Sequence, residues 1–212
     1  MLLAAVGMTR EARIVQGPSV RAVAGGGRSD LLRLRLAANG HDISGVISIG
    51  LGGALDPALQ VGEVVLADEV ISAGGRWMAD GAWTQRLAAS LPNARRAIEY
   101  ASDDMILKAS DKAALRAQTG AGTVDMESHV AAAFAAEHGL PFAVVRVVSD
   151  VAGDDLPRAV TAGMKPDGGM NLLGVLASLA ADPRQLPGLM RTGRHAEIAF
   201  KALQALAPKL VA

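Results

Sequence analysis

The sequence predicts a single-domain α/β protein with a largely parallel central sheet. Three apolar runs, at residues 2–6, 45–50 and 141–148, have the length and composition of strands that are buried on both faces. Segments with helical patterns separate them, as expected when parallel strands connect through helices. Because 212 residues suffice for one sizeable core and no linker or internal repeat interrupts the chain, we predict one domain over residues 1–212.

In the first half of the chain, predicted strands alternate with predicted helices. A helix after Ser29 is indicated because serine is a favoured N-cap and Gly40 ends the pattern. The stretch 72–101 mixes polar residues and glycines and predicts no clear element. The predicted elements are a strand at 2–6, a short helix capped by Thr9, a strand at 20–24, a helix at 30–39, a strand at 45–50 and a strand within 61–71.

In the second half, helices are the commoner prediction. Gly139 and Pro141 end an alanine-rich helical segment and lead into the most apolar strand of the chain. The predicted elements are helices at 112–118 and 126–138, a strand ending at 148, and closing helices at 172–181 and 194–206.

Composition excludes several classes of function. There is no cysteine, which excludes disulfides, thiolate metal sites and cysteine nucleophiles. The formal net charge is zero and aromatic residues make up 3%, so neither a global field nor stacking platforms favour nucleic acid. The apolar start, Met1 to Val6, is too short for a signal peptide or a membrane span, so a soluble cytoplasmic protein is expected.

The glycine-rich segment Gly50-Leu51-Gly52-Gly53-Ala54 follows a predicted strand. A dinucleotide-binding fingerprint would need glycine at position 55, where Leu55 stands, and Asp56-Pro57 prevents a helix from starting in the right place. We therefore reject a dinucleotide site. Two interpretations stay open: a plain tight turn, or a backbone that a ligand approaches closely.

A second glycine-rich loop, Gly25-Gly26-Gly27, leads through Arg28 into a predicted helix N-terminus. Its backbone N–H groups and Arg28 could hold an anion, although most such loops are merely flexible.

Arg146 and Asp150 interrupt and end the most apolar strand. A spacing of four puts both on one strand face, about 13 Å apart, where they could bracket a small ligand at the carboxyl end of the sheet. The alternative is a structural ion pair between Arg146 and Asp125 or Glu127, since an arginine buried in a strand needs an anion.

Two other chemistries find no support. The four histidines, among them His129 and His138, lack metal-ligand spacing. A serine-hydrolase nucleophile elbow, G-x-S-x-G, is also absent.

Taken together, four segments make the chain resemble the nucleoside phosphorylase and nucleosidase superfamily, the fold shared by purine nucleoside phosphorylases and methylthioadenosine/adenosylhomocysteine nucleosidases. The resemblance implies a three-layer α/β/α fold with a mostly parallel mixed sheet. The matching segments are Val6-Gly7 with Glu11, residues 45–53 with 61–65, Val124-Asp125-Met126-Glu127, and Arg146-Val147-Val148-Ser149-Asp150.

Within that superfamily, the chain is most similar to the hopanoid-biosynthesis branch, the adenosylhopane nucleosidases or phosphorylases. The resemblance rests on residues 124–129, Gly139-Leu140-Pro141-Phe142, residues 55–59 and Lys165-Pro166-Asp167-Gly168.

The resemblance implies catalytic roles for three residues. Asp150 matches the acid that hydrogen-bonds or protonates the purine leaving group. Arg146 matches the residue near the nucleophile. Glu11 is the counterpart of the glutamate that activates water, after a one-residue shift because Ala12 occupies the unshifted position.

Substrate-binding roles follow in the same way. Glu127 matches the residue that holds the ribose hydroxyls, and Met126 the residue that packs on the sugar. Gly52 and Gly53 match the part of the backbone that borders the base and the sugar. The implied substrate-binding set also includes Ser149, Met105 and Ile106, and the implied phosphate-binding set is Arg146, Arg28 and Arg13.

This chemistry suits these side chains. Cleavage of a ribosyl–purine bond builds negative charge on the departing base, which a carboxylic acid of raised pKa relieves; we expect such a raised pKa for Asp150, which ends an apolar strand. Glu127 would accept hydrogen bonds from the paired sugar hydroxyls. No metal or organic cofactor is expected, and phosphate is expected only as a co-substrate.

Three kinds of function and partner stay open. The chain could be an enzyme that hydrolyses an adenosine-type nucleoside or one that cleaves it with phosphate. The nucleoside could be adenosylhopane or a small one such as methylthioadenosine or adenosine. The chain could also be a non-catalytic nucleoside-binding module. A lipid-linked substrate would require an apolar groove or a peripheral contact at the inner face of the membrane. The superfamily implies a homo-oligomer and no nucleic-acid partner.

Overall fold

The computed structural model describes residues 1–163, 165, 168–169 and 171–210. Pro166 and Asp167, which belong to one of the resembling motifs, lie outside the described residues. The strands are β1 (Leu2–Val6), β2 (Val20–Ala24), β3 (Gly45–Ala54), β4 (Val64–Ser72), β5 (Gly75–Met78), β6 (Arg95–Ala101), β7 (Thr123–Asp125) and β8 (Phe142–Asp150). The helices are α1 (Thr9–Val15), α2 (Ser29–Asn39), α3 (Gly81–Ser90), α4 (Ala109–Thr119), α5 (Ser128–Glu137), α6 (Arg158–Ala162), α7 (Leu172–Ala181) and α8 (Leu186–Leu206).

The eight strands form one mixed sheet. Strand β1 lies between β2 and β3, and β3 also pairs in parallel with β8. Strand β4 is antiparallel to β8 and β5 and parallel to β6. Because β6 continues to β7 and β7 returns to β3, the strands β3, β8, β4, β6 and β7 close into a ring. Side chains from β6 and β8 can therefore meet inside it.

Apolar side chains cover both faces of the sheet. Alternate residues of β1 point to opposite sides, as the period of a strand requires. Ala4 and Val6 belong to a core with helices α1, α3 and α8, whereas Leu3 and Ala5 belong to a core with α2 and α5. This confirms the predicted three-layer α/β/α fold.

Several element boundaries differ from the sequence prediction. Strand β3 does not end at Gly50 but continues to Ala54, because its glycine-rich half pairs with both β8 and β7. The tight-turn interpretation of this segment is therefore wrong. Helix α8 starts at Leu186 rather than Arg194, since Pro187 lies in its first turn, where proline is tolerated.

The segment 72–101, which gave no clear prediction, contains β5, α3 and β6. Asp80 caps α3 by accepting a hydrogen bond from Trp83 N at 2.7 Å. Among the described residues, no helix combines the length and the hydrophobicity that crossing a membrane requires.

Candidate active site

Glu11 is fixed in a buried position at the start of the first helix. Its carboxylate accepts hydrogen bonds from the backbone N–H of Met8 at 2.6 Å and of Leu51 at 2.7 Å, which ties α1 to the middle of β3. The side chain is buried, and burial raises the pKa of Glu11 against the lowering effect of these hydrogen bonds. The structure thus places a proton-accepting group beside the glycine-rich strand.

Glu127 lies next to Glu11. A Cβ atom added to Gly7 would lie 2.9 Å from Oε1 of Glu127 and 3.3 Å from Oε2 of Glu11, so both carboxyl groups rest against this glycine. Burial, followed by the charge of Glu11, raises the pKa of Glu127 to about 8. Burial and the neighbouring carboxyl group thus disfavour ionisation of Glu11 and Glu127 at the same time.

Arg146 forms an ion pair inside the sheet. Its Nη2 donates to Asp125 Oδ2, to Ser48 Oγ at 2.5 Å and to Ser128 Oγ at 2.9 Å, and the side chain is 1% exposed. Of the two interpretations that the sequence left open, the structural ion pair with Asp125 is the one present. A nucleophile near Arg146 would therefore meet a guanidinium group that is already paired with Asp125.

Sequence reasoning missed Glu99, which lies in the segment that gave no clear prediction. It is fully buried on β6, where its Oε2 accepts a hydrogen bond from Thr123 Oγ1, and its Oε1 has no hydrogen-bond partner among the described residues. Burial raises its pKa to about 7, whereas the charge of Arg146 lowers it. The ring of strands brings Glu99 towards Arg146 although 47 positions separate them in the sequence.

Asp150 does not have the apolar surroundings that the sequence suggested. Lys112 of α4 is fully buried and its Nζ donates to Asp150 Oδ1. The ammonium group of Lys112 thus lies where the sequence predicted apolar neighbours. Lys112 was missed because a lysine in a short helical segment ordinarily lies in solvent.

The spacing of Arg146 and Asp150 also differs from the prediction. Strand β8 contains a β-bulge, since Gly52 pairs with Val148 and Gly53 with Asp150, leaving Ser149 as the extra residue. A bulge breaks the strict alternation of side chains, so the same-face prediction for Arg146 and Asp150 does not hold.

The glycines of β3 connect the two parts of the site. A Cβ atom at Gly50 would lie 2.6 Å from Glu11 Oε1, one at Gly52 would lie 3.1 Å from Arg146 Cδ, and one at Gly53 would lie 3.1 Å from Asp150 Oδ1. Only glycine leaves these charged groups room against the strand. Gly50 and Gly53 are three residues apart, about 10 Å along a strand.

The remaining predicted residues are distributed as follows. Ser149 is half-buried, and its Oγ lies 3.0 Å from Asp150 Oδ2 and 3.2 Å from the Gly52 carbonyl oxygen. Met126 is half-buried between Asp125 and Glu127. Met105 and Ile106 line a cavity of about 870 Å³ that is bordered by α7.

The structure does not bring the two remaining arginines of the predicted phosphate site to the carboxyl groups. Arg28 is exposed and forms an ion pair with Asp30. Arg13 is exposed on α1 two residues after the buried Glu11, which is more than half a turn around the helix. Within the described ranges, no group of three or more histidine, aspartate and glutamate side chains is arranged to hold a metal ion.

A family model described as the phosphorylase superfamily matches residues 13–169. The chain belongs to the phosphorylase superfamily. The matched range includes all the predicted site residues named above except Glu11, which precedes it by two positions.

One sequence relative is a 5′-methylthioadenosine/S-adenosylhomocysteine nucleosidase of Marinomonas sp. (strain MWYL1). It is 31% identical over 144 residues, which cover 54% of this chain and 59% of the relative. The chain therefore matches less than two thirds of that protein's length.

Solved structures show the same fold. A nucleosidase of the same description from Borrelia burgdorferi B31, bound to adenine, has a TM-score of 0.73 at 12% identity and covers 100% of this chain and 99% of its own. The native futalosine hydrolase of Helicobacter pylori has a TM-score of 0.70 at 13% identity, with 99% and 96% coverage.

Proposed function

We propose that the chain cleaves the N-glycosidic bond of an adenosine-type nucleoside and releases adenine. One observation carries this proposal: the Glu11–Glu127 pair and the Asp150–Lys112 pair lie at the two ends of one glycine-lined stretch of β3. The Marinomonas relative, which is described as a nucleosidase, supports the same reaction class.

The reaction separates charge, and the two ends of the site suit its two halves. Positive charge develops on the ribose, beside the carboxyl groups of Glu127 and Glu11. Negative charge develops on the purine, beside Asp150. The Asp150–Lys112 pair holds a proton that can pass through Asp150 onto the departing base, while Glu127 accepts hydrogen bonds from the ribose hydroxyls.

We propose water rather than phosphate as the nucleophile. Glu11 is buried, held by two backbone N–H groups and has a raised pKa, which suits a general base. Phosphate would need free cationic groups, whereas Arg146 is paired with Asp125 and Arg28 with Asp30. Phosphorolysis is the second candidate, favoured only by the short distance in sequence between Arg28 and the glycine loop.

For the substituent on the nucleoside, we propose a large apolar group, as in adenosylhopane. Helix α7 has no buried residue, and Leu172, Leu173 and Leu176 are more than 60% exposed. This helix borders the cavity that Met105 and Ile106 line. Such a surface suits an apolar substituent, and we propose that it also allows a peripheral contact at the inner face of the membrane or with a second copy of the chain.

An assay of adenine release tests the proposal. Purified protein is incubated with adenosylhopane, methylthioadenosine or adenosine, with and without phosphate, and free adenine is quantified by chromatography. We expect release without phosphate, fastest for adenosylhopane, and a sugar product with a free anomeric hydroxyl. Release that depends on phosphate would establish phosphorolysis, and no release from any of the three would leave a non-catalytic binding module.

A further inference from the structure

Lys112 of helix α4 contacts the carboxylate of Asp150. This lysine is fully buried, and all three N–H donors of its ammonium group are used: Asp150 Oδ1, the Val151 carbonyl oxygen at 3.1 Å and the Asp154 carbonyl oxygen at 3.2 Å. These three acceptors match the three donors of an ammonium group. The bond to Oδ1 fixes the orientation of the Asp150 carboxylate.

The other oxygen of Asp150 is only partly occupied. Among the described residues, Oδ2 accepts one hydrogen bond, from Ser149 Oγ at 3.0 Å, and a carboxylate oxygen can accept a second. Gly53 lies against the same carboxylate, since a Cβ atom there would come 3.3 Å from Oδ2. Lys112 therefore holds the carboxylate through Oδ1, and the carboxylate rests against Gly53, a residue without a side chain.

An ionised carboxylate only accepts hydrogen bonds. A purine with a 6-amino group offers it an N–H donor, whereas a 6-oxopurine places a carbonyl oxygen against it. Buried acceptors that face each other without a proton are costly, and a site of this kind can reject the wrong ligand by factors of about 10⁴.

We propose that Lys112 is a positioning residue that holds Asp150 as an oriented carboxylate and thereby selects 6-amino purines over 6-oxopurines. The proposal rests on the proposed function, because it concerns the base that Asp150 contacts. A purely structural role is the alternative, since Lys112 also ties the backbone of residues 151–154 to α4. A structural role predicts equal losses for both classes of purine, whereas the positioning role predicts a change in their ratio.

The test compares matched nucleosides in wild type and three variants. Values of kcat/KM are measured for adenosine and inosine, and for the 5′-methylthio derivative of each. Lys112→Met removes the charge, and Lys112→Arg keeps a charged donor. Lys108→Met is the matched control, because Lys108 precedes the same helix and forms an exposed pair with Asp155. Circular dichroism establishes that each variant is folded.

We expect wild type to favour the 6-amino nucleoside by about 10³ or more. Lys112→Met should lose at least tenfold of that preference, while Lys112→Arg and Lys108→Met should keep it. The proposal is overturned if wild type shows no preference, or if folded Lys112→Met keeps the full preference. Should Lys112→Met fail to fold, loss of the preference in folded Lys112→Arg would overturn it.

Failure of the proposed function would look different. Wild type would then release no base from any nucleoside. In that case calorimetry with free adenine and free hypoxanthine replaces the kinetic ratio in the same variants. Tighter binding of adenine that depends on Lys112 would support the selectivity even without cleavage, and equal binding of both bases would contradict it.

Discussion

Replacing Asp150 with asparagine is expected to reduce turnover of an adenosine-type nucleoside by a factor of about 100 or more. Asparagine is nearly the same size as aspartate but cannot pass a proton to the departing base. The loss should appear in kcat, measured as the rate of adenine release at saturating nucleoside. A fully active Asn variant would remove Asp150 from the reaction.

The Asn variant needs a control for stability, because Lys112 would lose its anion. Breaking a buried ion pair by removing one partner costs about 3–5 kcal/mol, so urea denaturation should show a lower free energy of unfolding. The double variant Asp150→Asn with Lys112→Met removes the unpaired charge and should recover stability. We expect turnover to stay low in the double variant, which separates the chemical role of the Asp150–Lys112 pair from its role in folding.

Replacing Glu127 with glutamine is expected to weaken binding of nucleosides far more than binding of free adenine. A carboxylate can accept hydrogen bonds from both ribose hydroxyls, whereas the glutamine side chain has one acceptor oxygen. Free adenine has no ribose and should bind with nearly unchanged affinity. Calorimetry with adenine and with a non-cleavable nucleoside analogue measures both effects.

The Gln variant also has a predictable effect on stability. Burial and the charge of Glu11 raise the pKa of Glu127 to about 8, so the native state disfavours the ionised Glu127. A carboxyl group whose pKa is raised in the folded state stabilises that state at low pH. This stabilisation is lost as the pH rises from the pKa of the unfolded state to the folded-state pKa of about 8. Glu127→Gln should therefore be no less stable than wild type at alkaline pH. Equal losses of affinity for adenine and nucleoside would contradict contact between Glu127 and the sugar.

Strand and helix positions were largely predictable because apolar runs and helix-ending glycines carry strong local signals. Strand β1 and helix α7 have the predicted bounds, and β8 extends to Asp150, two residues beyond the predicted end at Val148. The glycine segment of β3 was harder to predict, because glycine ordinarily interrupts a strand. Here β3 lies between β8 and β7, and charged side chains occupy the space that larger residues would fill.

The partners of the site residues were less predictable than the residues themselves. The sequence identified Glu11, Glu127 and Asp150 through resemblance, but not their electrostatic surroundings. Lys112 and Glu99 reach the site because α4 packs near the end of β8 and because the sheet closes into a ring. Neither arrangement leaves a periodic signal in the sequence. The bulge at Ser149 depends likewise on the pairing of two strands, which the spacing of Arg146 and Asp150 does not encode.

The central claim is that Glu127 and Asp150 contact opposite ends of one bound nucleoside. A crystal structure of the protein with a non-cleavable adenosine analogue measures this directly. We predict that the ribose hydroxyls lie within hydrogen-bonding distance of Glu127 and that the 6-amino edge of the base lies within hydrogen-bonding distance of Asp150. A nucleoside bound elsewhere, for example in the cavity beside Met105 with neither carboxyl group in contact, would contradict the claim.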